Sequence, residues 1–467
     1  MITIPLSLHS ETPLYEQIYT YIKFEIQKGN LAEHTKLPST RGLASHLSVS
    51  RSTIELAYSQ LVSEGYIESK EKSGYYVASL NTLLSVPAIQ RTKQNPPPKK
   101  ESRLPYDFSP FSVDLSHFPY QIWRQLSKNC LSFNTDLFLS GESQGDQPFR
   151  EAITSYLHHS RGVRCQEEQV VVGAGVDYLL QLLGGLFSKD TIFALENPAY
   201  MRAYRIFHGL GFQTRPVKMD LSGMDISQLS QSGADIAYVT PSHQYPLGIV
   251  MPVKRRLELL EWAAQKESRY IIEDDHDSEF RYVGKPIPSL QGLVEQEKVI
   301  YIGTFSRAIA PSIRVGYMVL PKPLLKEYHE KLFYYSCSVS RIDQAIITKF
   351  MEENYFERHL NRMRKVYKAK HDAILQALKQ FGSHISIEGE NAGLHLVVSM
   401  HTKASETDII ENAKKEGIHL YSLSEHYIQK PKEYIPTFLM GFANISEENI
   451  QTGIQKLYQL FVTNKWL

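Results

Sequence analysis

Over the first 80 positions the apolar residues recur at helical spacing. Leu14, Ile18, Tyr21, Ile22 and Ile26 form one stripe ending at Gly29, the pattern of an amphipathic helix. Thr12 is a cap for it and Pro13 suits its first position. Ser39 opens a shorter helix with Leu43 and Leu47. After a tight turn at Ser48-Val49, Ser50 caps a third helix carrying Ile54, Ala57, Tyr58, Leu61 and Val62, which Gly65 stops. Two short runs follow, Tyr66-Ile67-Glu68 and Tyr75-Tyr76-Val77, able to pair around Lys70–Gly74. Helix, short helix, turn, helix and β-wing is the order of a winged helix-turn-helix.

From residue 109 the pattern changes to short apolar runs with little alternation: 170–172, 191–194, 236–239, 270–272 and 299–301. Such runs suit strands buried on both faces of a mostly parallel sheet, and helical stretches such as 254–265 separate them. Strand-like segments at 384–400 and 437–443 predict a smaller C-terminal α+β lobe. The expected class is α/β: residues 1–80 a winged helix-turn-helix, 81–108 a linker, and 109–467 the large unit. Four prolines by Pro98 and five Lys/Arg against one Glu in 81–105 make that linker extended and basic.

Composition changes this picture little. A formal net charge of +1 over 467 residues predicts neither nucleic-acid nor membrane binding, and the length suits about three domain-sized units. Cys130, Cys165 and Cys337 fall at unrelated spacings, implying a reducing compartment with no disulfide framework and no metal site. The first residues lack the basic and apolar regions of a signal peptide. No uncharged apolar run approaches the roughly 18 residues of a membrane span. The expectation is a cytoplasmic protein.

A helix-turn-helix reads DNA with the start of its second helix and holds phosphates with nearby polar and basic groups. Those positions are Ser50, Arg51, Ser52 and Thr53, with Tyr58 one turn further, Ser39 and Arg41 on the preceding helix, and Lys70 and Lys72 on the wing. Seven Lys/Arg against eight Glu over residues 1–80 leave the motif order, not net charge, to carry the reading, while the linker adds a net +4. Leu37-Pro38-Ser39 with Arg41, Ser50-Arg51-Ser52-Thr53, Leu61 with Gly65, and Lys72-Ser73-Gly74 resemble the GntR type of winged helix, which implies binding to double-stranded operator DNA at a promoter.

The rest of the chain resembles the aminotransferase-like half of MocR-type regulators, a fold-type I domain. The resemblance runs through Arg161-Gly162-Val163, Gly173-Ala174-Gly175, Glu196-Asn197-Pro198 with Tyr200, Thr240–Gln244, Glu273-Asp274-Asp275, Gly303-Thr304-Phe305-Ser306 and Asn391–His395. It implies pyridoxal 5'-phosphate (PLP) chemistry, with Asp274 at the ring nitrogen, Tyr200 stacked on the ring, and Arg314, Ser306 and Gly175 around the phosphate.

Four positions depart from the family pattern. Arg307 stands where the family has the imine-forming lysine, and a guanidinium has no free nucleophilic lone pair. His276 replaces a tyrosine at the cofactor's phenolic oxygen. Asp177 replaces a glutamine beside the phosphate loop. Asn444 takes the place of the arginine that clamps a ligand carboxylate, with Arg202 an alternative contact. The expectation is that Arg307 lies near Asp274 and Asp177 and fills part of the cofactor volume, so that any PLP is held non-covalently; the competing picture has Arg307 turned outward.

Three functions remain open: a homodimeric transcriptional regulator, not an enzyme, sensing a small anionic ligand or only dimerising; a PLP-dependent aminotransferase with a DNA-binding head; and a ligand-free DNA-binding scaffold. No catalytic residue is assigned.

Overall fold

The computed structural model describes residues 4–7, 10, 12–79, 104–133, 135–282, 284, 287–295 and 297–467. It divides into two compact units, Met1–Glu101 and Ser102–Leu467. The expected linker lies, up to residue 103, outside the described residues.

In the first unit, helices Leu14–Gln27, Thr40–Leu47 and Arg51–Ser63 precede a hairpin of Ile67–Lys70 and Gly74–Val77. Pro13 is the N-cap rather than the first helical residue. Ser39 and Ser50 cap as expected, their side chains accepting from the backbone N–H groups of Gly42 and Thr53. Ile18, Ile22, Leu43, Ile54, Ala57 and Leu61 close one apolar core.

The second unit is built on an eight-stranded sheet in the order Val170–Gly173, Gly316–Val319, Val299–Thr304, Tyr270–Asp274, Ile236–Val239, Ile192–Asn197, Gln213–Asp220 and Gly223–Met224. Gly316–Val319 runs antiparallel to both its neighbours, as does the short edge strand to Gln213–Asp220; the other pairs are parallel. The strands Ile236–Val239, Tyr270–Asp274 and Val299–Thr304 are rich in apolar residues and buried on both faces. Their carboxyl ends therefore lie along one edge, where an open α/β sheet places its ligands.

The segment expected as one strand over 384–400 is two, Ile385–Glu388 and His395–Met400, paired antiparallel. Left-handed backbone at Gly389 and Gly393 breaks it. With Thr437–Gly441 and Tyr421–Ser422 these form the four-stranded sheet of the small lobe.

Asp114, near the start of this unit, is tied to the helix Tyr355–Leu378 by Lys370 at 2.7 Å, with His117 at 3.4 Å on the same carboxylate. Burial opposes the charged form, yet Lys370 and Ser116 bring this carboxyl down to about 2. A carboxyl depressed on folding stabilises above its unfolded value, about 4, and loses that contribution as pH falls to the folded one. Acid unfolding followed by circular dichroism should therefore show Lys370→Met abolishing a stability increment that the unsubstituted chain loses between about pH 4 and pH 2.

Candidate functional site

At the carboxyl edge of the sheet lies a cavity of about 440 Å³ whose lining includes Asp177, Tyr200, Asp274, Asp277, Arg307 and Arg314. Asp274 ends the strand Tyr270–Asp274 and is almost fully buried. The Tyr238 hydroxyl donates to its Oδ2. Burial pushes the carboxyl up to about 7, the Tyr238 bond opposes the rise, and the neighbouring carboxylates of Asp275 and Asp277 add to it. Asp275 faces the other way, into a two-point pair with Arg161 at 2.9 Å for both bonds, and accepts from Ser278 and Tyr301.

Arg307 comes from the four-residue helix Phe305–Ala308 that follows the strand Val299–Thr304. Its partner is neither Asp274 nor Asp177. Nε donates to Asp277 Oδ1 at 2.8 Å and Nη2 to Oδ2 at 2.9 Å, while Nη1 donates to the Pro110 carbonyl at 2.8 Å. The guanidinium points inward: 14% of its side chain is exposed, and none of Asp277's. The reason is position. Asp277 adopts left-handed backbone, φ 54°, in the loop just past the strand, which presents its carboxylate fork to the arginine, whereas Asp274 is already engaged by Tyr238. Burial alone would raise the Asp277 carboxyl, but Arg307, His276 and His243 hold it well below the carboxylate range.

The side expected to face a phosphate is also occupied from within the chain. Asp177, in the first turn of the helix Val176–Gly184, accepts from Arg314 Nη2 at 3.0 Å and from Arg202 Nη1 at 3.1 Å. Its side chain keeps 30% exposure, so it is not desolvated. Gly175 at the helix N-cap has φ 84°, and a Cβ there would stand 2.9 Å from Arg314 Nη2. Ser306 lies alongside, its backbone N–H donating to Thr304 Oγ1 at 3.1 Å. Arg202 therefore meets an internal carboxylate instead of standing free for a ligand.

Tyr245 meets the rings of His276, His395, His426 and Tyr200 at centroid distances of 4.9, 5.5, 5.3 and 5.8 Å. Burial pushes His243 and His276 down to about 4 and Tyr200 up to about 12. Asn444, expected to face a ligand carboxylate, is exposed and lines a different surface depression with Asp114 and Lys370. It follows the strand Thr437–Gly441 by three residues, past the point where that strand faces Tyr245 with Leu439. Sequence reasoning missed Asp277, Tyr238 and the Arg161–Asp275 pair. The acidic run Asp274-Asp275-His276-Asp277 behind an apolar strand was the available signal for the first.

In the N-terminal unit, Arg41, Ser50, Arg51, Ser52, Lys70 and Lys72 are exposed, as is Ser39, and Thr53 is partly so. Among the described residues Arg51 pairs with Glu55 on its own helix, at 2.7 Å. Lys72 forms the wing turn in left-handed backbone, φ 58°. Tyr58 departs from expectation: it is fully buried, donates to the Pro38 carbonyl at 3.0 Å and packs edge-on against Tyr75. Its position one turn along the helix faces inward with Ile54 and Leu61.

Residues 113–457 match the family described as aminotransferase class I and II, and residues 14–77 match the bacterial regulatory proteins of the gntR family. The chain is a MocR-like, GntR-headed member of the aminotransferase class I and II family. The uncharacterized HTH-type transcriptional regulator YdeL of Bacillus subtilis is 40% identical over 96% of each chain. The probable rhizopine catabolism regulatory protein MocR of Rhizobium meliloti is 31% identical over 98% of this chain and 95% of its own. Among solved structures, the kynurenine aminotransferase of Pyrococcus horikoshii matches with a TM-score of 0.69 and 24% identity, over 78% of this chain and 92% of that one, a likeness of fold. Within the family, the described lining of this chain's cavity holds four arginines and no lysine. No helix among the described residues is long and apolar enough to cross a membrane.

Proposed function

We propose that the chain is a cytoplasmic, homodimeric transcriptional regulator that binds operator DNA through its GntR-type head. Its aminotransferase-like unit binds a small anionic ligand without Schiff-base chemistry and is not an enzyme. The cavity, with no lysine among its described lining residues and with Arg307 locked onto Asp277, carries this reading. An imine needs a neutral amine, and a guanidinium does not supply one at ordinary pH. The residues present do not fit a covalently anchored PLP. Turnover would also lack the amine that moves protons in such chemistry.

Regulation asks less of the site. A ligand that favours one conformation shifts the population by its differential affinity alone. Four arginines in the lining, two of them shared by Asp177, support an anionic ligand that competes with that carboxylate. The dimer is supported by the run Phe333-Tyr334-Tyr335, exposed at 61, 66 and 46%, since aromatic residues are enriched at subunit interfaces.

A second reading, PLP held non-covalently, is favoured by Asp274 at the cavity base and by Arg314 and Gly175 at its rim. Incubation with excess PLP followed by borohydride separates the possibilities. The expected intact mass of the polypeptide is unchanged; a fixed adduct would overturn the proposal. A rise in melting temperature with PLP but no adduct would select the second reading, because a ligand of the native state stabilises by mass action.

A further inference from the structure

We propose that His276 and Asp277, which line this cavity, form with the buried His243 beside them a binding site for a divalent transition-metal cation. One ligand atom from each of the three lies within 4.8 Å of the others. His243 is completely buried, and neither of its ring nitrogens has a partner at full hydrogen-bond geometry, the Ala392 backbone making a weak contact; the Nδ1 of His276 is likewise buried and without a partner. Orphaned buried polar atoms are costly, and three in one cluster point to an occupant that accepts lone pairs. Asp277 Oδ2 stands 3.7 Å from His276 Nδ1. Zinc bonds of about 2.0–2.2 Å would be reached by moving each donor inward by less than about 1 Å.

Two features suit the site to a metal rather than to a bound anion. Two imidazoles with one carboxylate select zinc, copper or nickel over magnesium or calcium. His243 is also held in place: a Cβ at Gly393 would lie 2.1 Å from its Cε1, so only glycine leaves room for the ring. His395, whose Nε2 meets the Pro246 carbonyl at 2.9 Å, has a buried, unpartnered Nδ1, and its ring centroid is 5.4 Å from that of His243.

Arg307 sets the strength of this site. A carboxylate offers about four lone-pair sites, and the guanidinium uses one on each Asp277 oxygen, so the cation shares Asp277 with a positive neighbour. Binding is therefore weaker than in a site with an unshared carboxylate, and Arg307→Met should tighten it.

Titration of the full-length chain with Zn²⁺ by calorimetry, and with Co²⁺ by visible absorption, tests the proposal without reference to DNA binding or to PLP. The expected result is one ion per chain, with affinity falling at least about tenfold in His243→Asn and in His276→Phe and rising in Arg307→Met. Melting curves confirm which variants are folded, and His243→Asn, which breaks no ion pair, is the decisive one. Absence of stoichiometric binding, or Zn²⁺ affinity unchanged in a folded His243→Asn chain, overturns it; the orphaned nitrogens are then met by water.

Discussion

Asp277→Ala should destabilise the aminotransferase-like unit by about 3–5 kcal/mol, the usual cost of removing one partner of a buried ion pair. Denaturant titration, followed by a signal from that unit, measures it. The substitution leaves the Arg307 guanidinium with the Pro110 carbonyl at 2.8 Å and the His276 Nε2 at 3.4 Å. Arg307→Ala should cost a similar amount, since it leaves a carboxylate with no side-chain exposure. The double variant Arg307→Met/Asp277→Leu should recover most of the loss, because apolar side chains of similar volume replace a buried pair at little net cost. A double variant as unstable as the sum of the singles would mean that the two residues act independently. The left-handed backbone at Asp277 leaves some of the loss unrecovered, since leucine tolerates that region poorly.

Arg51→Ala should weaken binding to an operator selected from a random duplex pool by about 1–3 kcal/mol and relax preference at one position, as for an arginine that reads a base edge. Lys72→Ala should weaken binding to all sequences alike and lower the salt slope by about one. Fluorescence anisotropy at several salt concentrations separates the two. Tyr58→Phe is the control. It removes one hydrogen bond, to Pro38, worth about 1 kcal/mol of stability, and should leave the DNA affinity of the folded chain unchanged. Tyr58→Ala should instead unfold much of the head, at about 3–5 kcal/mol for a buried aromatic side chain. Equal DNA-binding losses for Tyr58→Phe and Arg51→Ala would place Tyr58 on the DNA after all.

The elements of both units were legible because local chemistry determines them. Ser39 and Ser50 stood at helix starts where their hydroxyls could satisfy free N–H groups, and they do so. Uninterrupted apolar runs at 236–239 and 299–301 marked strands buried on both faces, and these strands are central in the sheet. The strand-like segment 384–400 is divided for a local reason too, since two glycines in left-handed backbone turn the chain there. Which side of a helix faces inward is only partly local. Tyr58 was placed both on the apolar face of its helix and beside the recognition residues, and the period that buries Ile54 and Leu61 buries it as well.

Pair identity within the cavity was less accessible. The residues Asp177, Asp274, Arg307 and Arg314 were all identifiable from motif positions, but the partners assigned to Arg307 were wrong. Three carboxylates lie within four positions in Asp274–Asp277, and nothing in their order says which one turns towards residue 307. Strand alternation and the loop backbone decide it, sending Asp275 to Arg161, Asp274 to Tyr238 and Asp277 to Arg307.

By itself, the sequence determined the two-unit order, the GntR-like head, the aminotransferase-like body and the guanidinium at position 307. These follow from short-range periodicity and from side-chain identity, which need no knowledge of distant contacts. Tertiary structure alone decided that Asp177 occupies both Arg202 and Arg314, that Arg307 is bound at two points by Asp277, and that His243 meets His276 above Gly393. Those pairs join residues 25 to 150 positions apart. They depend on which strand ends lie side by side, a property of the folded sheet rather than of any segment of the chain.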